Sequence, residues 1–352
     1  MASYDNFALL LPGGGALASY QAGAYQTLSE SGLEPNWVAG ISSGALNSAI
    51  IAGNSPENRV NQLRSFWRQL SKYSILNSGY LSAWKSFLFG NEPFFQPRGV
   101  PAFLQPHFGY ATASWYDATP LCATLAKFAD FDRINDAREM RVSVGAVHVR
   151  SGAQLYFDNT HTRLQPEHFL ASCALPPGFP PIEIDGEFYW DGGMVSNTPL
   201  ECLMHEKVLP RTLALQVDLW STLGTIPVDT LDVATAMRDI QYLPKTTSIY
   251  SCIDRLSEAR RILSGITPLV DHASHESTPY LEAIDYINGT EIDIIGIVYN
   301  NKEYNKLYNT FDFSCESLRK HWKSGASDMK KIMDTVNLLQ TQRAPGSVDK
   351  VG

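Results

Sequence analysis

Ser42 stands at the centre of Gly40-Ile41-Ser42-Ser43-Gly44, a GxSxG pentapeptide. Small residues on both sides let a chain turn sharply and present the central hydroxyl outward, the arrangement of a nucleophile elbow. A serine hydroxyl is a poor nucleophile until a base takes its proton. Attack on a carbonyl then creates an oxyanion that needs hydrogen-bond donors. Asp191, in Asp191-Gly192-Gly193, is the best-placed base, and the glycine run Gly13-Gly14-Gly15, with the N–H of Ser43, is the candidate donor set. Together these residues could carry out acyl transfer.

Each motif also has a bland reading. GxSxG recurs by chance, and DGG alone is more often an ordinary tight turn. The glycine run followed by Ala18 fits a loose dinucleotide-binding pattern, with Glu34 placed for a ribose contact. That reading gives no reason for a GxSxG at the end of the next strand, and no GK[ST] follows to make a P-loop. None of the eight histidines sits in a context that marks it as catalytic. The aromatics Phe188, Tyr189 and Trp190 before Asp191 make an apolar neighbourhood, which raises a carboxylate's pKa and makes it a better base.

The elements that must position these residues can be read from periodicity. Phe7–Leu11 is a short apolar run stopped by Pro12, and Trp37–Ile41 is a second such run; both read as buried strands. The stretches 16–31 and 43–52 read as helices, the first ended by Gly32. If the two strands are parallel neighbours, the glycine loop and the elbow lie on the same sheet edge. Further strands are expected at 140–149, 153–159, 212–219 and 293–299. A hairpin is expected at 182–190, turning on Asp185-Gly186. Helices are expected at 231–242 and 248–263 and from Ser314, the last broken at Gly325. The pattern predicts an α/β fold, a three-layer α/β/α sandwich around a mostly parallel sheet.

Residues 66–116 hold fourteen of the 39 aromatics and show no clean period. They suit an insertion that packs on the core and caps a site for an apolar substrate. The expected organisation is a catalytic domain over 5–224 containing that insertion, a mainly helical extension over 225–340 packed on the core, and a disordered tail over 341–352.

Composition narrows the function classes. The net charge is −8, with no block of Lys and Arg, which argues against a nucleic-acid partner. It also argues against strong attraction to anionic membranes, except through a local basic patch. Five scattered cysteines without a CxxC pair read as reduced thiols. The N-terminus lacks a positive region and a long apolar run, and nothing approaches a membrane span. A cytoplasmic chain is expected, with no metal or cofactor.

Taken together, these residues resemble the patatin-like phospholipase family. "PGGGALASYQAG" is similar to its glycine-rich oxyanion loop, "GISSG" to its nucleophile elbow and "DGG" to its aspartate motif. The later part resembles the C-terminal extension of uncharacterised function in one bacterial branch of that family. The resemblance implies a Ser42–Asp191 dyad and an oxyanion hole from Gly13, Gly14 and Gly15. It implies hydrolysis of lipid acyl esters through an acyl-enzyme, with peripheral membrane contact through the apolar cap and oligomerisation left open. Leu17 and Ala18 depart from the pattern, standing where relatives carry Arg and Gly, and Pro12 replaces a small polar residue. Two alternatives stay open: a catalytically silent lipid-binding or scaffolding module, and an α/β-hydrolase whose triad uses His272 or His275.

Overall fold

The computed structural model describes residues 4–71, 89–98, 109–110, 113–204, 210–220, 226–228, 230–242, 292–300 and 307–342, with isolated positions between 251 and 262. An eight-stranded sheet organises them. Its strands are β1 (Asn6–Leu11), β2 (Trp37–Ile41), β3 (Arg141–His148), β4 (Gln154–Asp158), β5 (Ile182–Ile184), β6 (Glu187–Asp191), β7 (Thr212–Asp218) and β8 (Ile292–Val298). The order is β8-β7-β1-β2-β3-β6-β5, with β4 also on β3. The five strands from β8 to β3 run parallel, and β4, β5 and β6 pair antiparallel. This is the α/β architecture the sequence predicts.

Continuous apolar runs such as Ala8–Leu11 follow from burial of both faces of a parallel sheet. Side chains alternate: Leu9, Leu11 and Val38 join the larger core, whereas Ala8, Leu10, Trp37 and Ala39 face a smaller one with Leu200 and Leu203. The larger core packs α1 (Ser19–Glu30), α2 (Ser43–Ala52), α3 (Pro56–Ser71), α4 (Thr119–Phe128), α5 (Phe131–Ile134) and α6 (Pro166–Cys173). The short α7 (Glu201–Met204) covers the smaller one. The hairpin β5–β6 turns on Asp185 and Gly186, both at positive φ (52° and 80°), as a two-residue primed turn requires.

Two further long helices stand among the described residues: α8 (Thr230–Tyr242) and α9 (Cys315–Gln342). The expected break at Gly325 is corrected, because α9 runs through it without interruption. Gly325 serves a helix crossing instead. A Cβ there would lie 2.0 Å from Tyr20 O on α1, and a Cβ at Gly23 on α1 would lie 1.9 Å from Trp322 O on α9. Glycine at both positions lets the two backbones touch. The expected helix 248–263 lies largely outside the described residues. Most of the aromatic-rich insertion and nearly all of the 341–352 tail lie outside them too.

Candidate active site

The strand β3 explains why Ser42 and Asp191 meet, although 149 positions separate them in the chain. Parallel β2 occupies one stretch of it, ending with Ile41 opposite Gly145. Antiparallel β6 takes the next stretch, with Asp191 opposite Ala146. Hydrogen-bond parity puts both on the same edge. Arg141 N–H donates to Asn36 O and Val149 N–H to Phe188 O, whereas His148 N–H points the other way, to Ala153 O. The C-terminal ends of β2 and β6 therefore abut along β3, head to head. The residue after Ile41 is Ser42, and the last residue of β6 is Asp191.

Ser42 has φ 55° and ψ −129°, a conformation that side-chain-bearing residues rarely adopt. Its surroundings hold it there. Its N–H donates to Ser172 Oγ at 2.9 Å, and the Ser172 hydroxyl donates to Gly145 O at 2.6 Å. A Cβ at Gly44 would lie 1.9 Å from Leu11 O, and one at Gly40 would lie 2.6 Å from Ala45 N. The two outer glycines of GxSxG are thus required by close backbone approach.

Asp191 is 3% exposed. Burial pushes its pKa up from 3.8 to about 7, against the opposing pull of hydrogen bonds from Gly193 N–H and the Ser42 hydroxyl. Gly193 N–H donates to Asp191 Oδ1 at 2.8 Å. A buried carboxylate poised near neutrality is suited to both taking and returning a proton.

The glycine loop follows β1, which pairs in parallel with β2, so it does lie beside the elbow. Two of its N–H groups, read from the sequence as open donors, have protein acceptors. Gly13 N–H donates to Asn197 Oδ1 at 2.9 Å, and Gly14 N–H donates to Ser43 Oγ at 3.0 Å. The N–H groups of Gly15 and Ser43 have no acceptor among the described residues. Gly15 has φ 58°, and a Cβ there would lie 2.4 Å from Thr310 O. Leu17 and Ala18, where the resemblance leads one to expect Arg and Gly, are wholly buried in the core.

Ser42, Asp191 and Gly13–Gly15 open into one cavity of about 300 Å³. Its walls are mostly apolar. Phe94 and Phe95 come from the aromatic-rich insertion, and Phe311 and Phe313 from the segment before α9. Arg238 on α8 is the one cationic side chain lining it among the described residues. It stacks 4.7 Å over Trp220 and pairs with Asp239 at 2.8 Å. No histidine lines the cavity among the described residues. His321 is fully buried elsewhere, bonded to Tyr299 and Ser317, and burial pushes its pKa down to about 4. His272 and His275 lie outside the described residues. Among the described residues no cluster of His, Cys, Asp and Glu could hold a metal ion, and no helix is long and apolar enough to cross a membrane.

Comparison with known proteins follows the same residues. The family described as patatin-like phospholipase matches residues 9–204, more than half of the chain. The chain belongs to the patatin-like phospholipase family. A second family, described as patatin phospholipase, matches residues 240–344. Patatin-like membership supports lipid hydrolysis in general. No curated protein matches the chain. Among solved structures, VipD from Legionella pneumophila aligns with a TM-score of 0.39 and 14% identity, over 94% of this chain and 67% of that one.

Three side chains of this patatin-like site escape motif reading. Asn197 grips Gly13 from both sides, accepting from its N–H and donating Nδ2 to its O at 2.9 Å. Trp220 Nε1 donates to the same carbonyl at 2.8 Å. Ser172 holds the elbow. Asn197 lies six residues after Asp191, and only that proximity to DGG could have marked it.

Proposed function

We propose that this patatin-like chain is a serine lipid acyl hydrolase of the phospholipase A or esterase type, working through a Ser42–Asp191 dyad. The observation that carries the reading is the abutment of β2 and β6 on one edge of β3. It puts a strained serine and a buried carboxylate with a pKa near 7 at the head of one apolar cavity.

In this mechanism Asp191 takes the Ser42 proton as Oγ attacks the ester carbonyl. The N–H groups of Gly15 and Ser43 receive the oxyanion, each donor contributing about 10²–10³ in rate. Gly13 and Gly14 shape the loop through their bonds to Asn197 and Ser43. Protonated Asp191 then gives its proton to the leaving alcohol, and the fatty acyl group stays on Ser42 as an ester. Water, deprotonated by the same carboxylate, releases the acid and restores the hydroxyl. The aromatic walls suit an acyl chain.

Ser42→Ala, assayed on a short acyl ester, is expected to lose turnover by several orders of magnitude with the fold intact. Retained turnover would rule the dyad out. One observation favours a second reading, a silent lipid-binding module: two loop N–H groups already have acceptors. A fluorophosphonate probe separates the readings, since only the hydrolase forms an adduct on Ser42.

A further inference from the structure

A second cavity, of about 460 Å³, lies between α1, α3 and α9 and shares no lining residue with the catalytic one. Two helical stripes form its walls. Arg64, Arg68 and Ser71 recur at i, i+4 and i+7 on α3; Cys315, Arg319 and Lys323 recur at i, i+4 and i+8 on α9. Trp67, Trp322 and Leu318 supply its apolar part.

The charge here runs against the composition. The chain carries 28 Lys and Arg against 36 Asp and Glu. Yet this cavity is lined by four cations and no carboxylate. Arg64 and Arg68, and likewise Arg319 and Lys323, are like-charge pairs at i, i+4, which weaken a helix. Two other cations of α9 do have acidic partners: Lys320 pairs with Glu316 and Lys331 with Asp328. None of the four cleft cations makes an ion pair among the described residues. Arg64 Nη2 donates to Gln26 Oε1, which also accepts from Trp322 Nε1, so one uncharged amide fixes the cleft wall. Arg64 also lies 5.8 Å over the Trp322 ring.

We infer that this cleft binds a phosphate-bearing ligand, through Arg64, Arg68, Arg319 and Lys323. Guanidinium groups recognise phosphate oxygens through paired N–H donors. Four cations without an ion-pair partner, facing one another across a cavity, are stabilised when an anion enters. The phosphate can belong to an anionic lipid headgroup or to a soluble molecule, and the same recognition serves both.

The test uses the full-length protein and its Arg68→Gln/Lys323→Gln variant, both positions being exposed. Titration with inorganic pyrophosphate probes a soluble phosphate. Co-sedimentation with phosphatidylcholine vesicles, with and without phosphatidic acid, probes a headgroup. The inference expects wild-type binding in at least one arm, weakened at least tenfold in the double variant and by added salt. Hydrolysis of a soluble short ester should be unchanged in the variant. Pyrophosphate binding assigns a soluble ligand, and binding only to phosphatidic acid vesicles assigns a lipid surface. Failure of the wild type in both arms, or equal binding by the variant, overturns the inference. Neither result touches the Ser42–Asp191 reading.

Discussion

Asn197 and Gly13 exchange two hydrogen bonds, side-chain amide against peptide, each 2.9 Å long. The pair ties the loop after Asp191 to the loop after β1. It fixes the height of the glycine run above Ser42, whose Cβ would lie 2.7 Å from a Cβ at Gly13.

Asn197→Asp should therefore impair catalysis more than binding. A carboxylate still accepts from Gly13 N–H but cannot donate to Gly13 O. A fall in kcat of about 10²-fold is expected, the scale of a misplaced oxyanion donor, with KM for a short ester little changed. Asn197→Ala should in addition cost about 1–3 kcal/mol in denaturant unfolding, because buried groups lose their partners. Wild-type kcat in both variants would show that the pair has no bearing on the chemistry.

The proposed dyad makes activity depend on pH through Asp191. With its pKa raised to about 7 by burial, it is protonated below that value and cannot accept the Ser42 proton. The rate kcat/KM should rise with pH through about 7 and level off above it. A profile already flat from pH 5 to 8 would contradict this assignment.

Stability should move the opposite way. A carboxyl whose pKa is higher folded than unfolded holds more protons in the folded state between about pH 4 and 7. Stability then falls as pH rises through that window. Asp218, buried at the end of β7 and also raised to about 7, contributes in the same direction. Asp191→Asn keeps an oxygen for Gly193 N–H and removes the charge. Thermal melts should find it inactive but more stable than wild type above pH 7, with the difference vanishing near pH 4.

Ser172 offers a separate test of the elbow. Its hydroxyl accepts from Ser42 N–H and donates to Gly145 O, linking β2 to β3 through α6. Ser172→Ala leaves both groups unpartnered, at about 1–3 kcal/mol. A lower Tm and a reduced kcat are expected together. An unchanged kcat would show that Ser42 holds its strained geometry without this bond.

The parts of the fold that were legible in the sequence are those whose signal is local. Trp37–Ile41 and Ser43–Ala52 end where the apolar run and the GxSxG turn say they should. Ser42, Asp191 and the glycine run stand out because each sits in its own short motif. Asn197 and Ser172 did not, because their roles are side-chain-to-backbone bonds spanning 184 and 130 positions. No periodicity encodes such a bond. The loop amides hide their partners for the same reason: the acceptors of Gly13 and Gly14 N–H, Asn197 and Ser43, lie 184 and 29 positions away. Propensity alone marks Gly325 as a helix breaker, whereas its close contact with Tyr20 O gives it the opposite meaning. Net charge likewise concealed the cluster of cations between α3 and α9.

The touching backbones of α1 and α9 bear on how this chain comes apart. The helix directly behind the glycine loop is clasped by one that begins some three hundred residues later. Neither can be withdrawn without baring main chain that glycine alone could bring so close. The last helix is thus a clamp on the first helix of the chain. Heat or a protease that loosens it slackens the glycine loop in the same event, so loss of activity and loss of structure should share one cooperative transition.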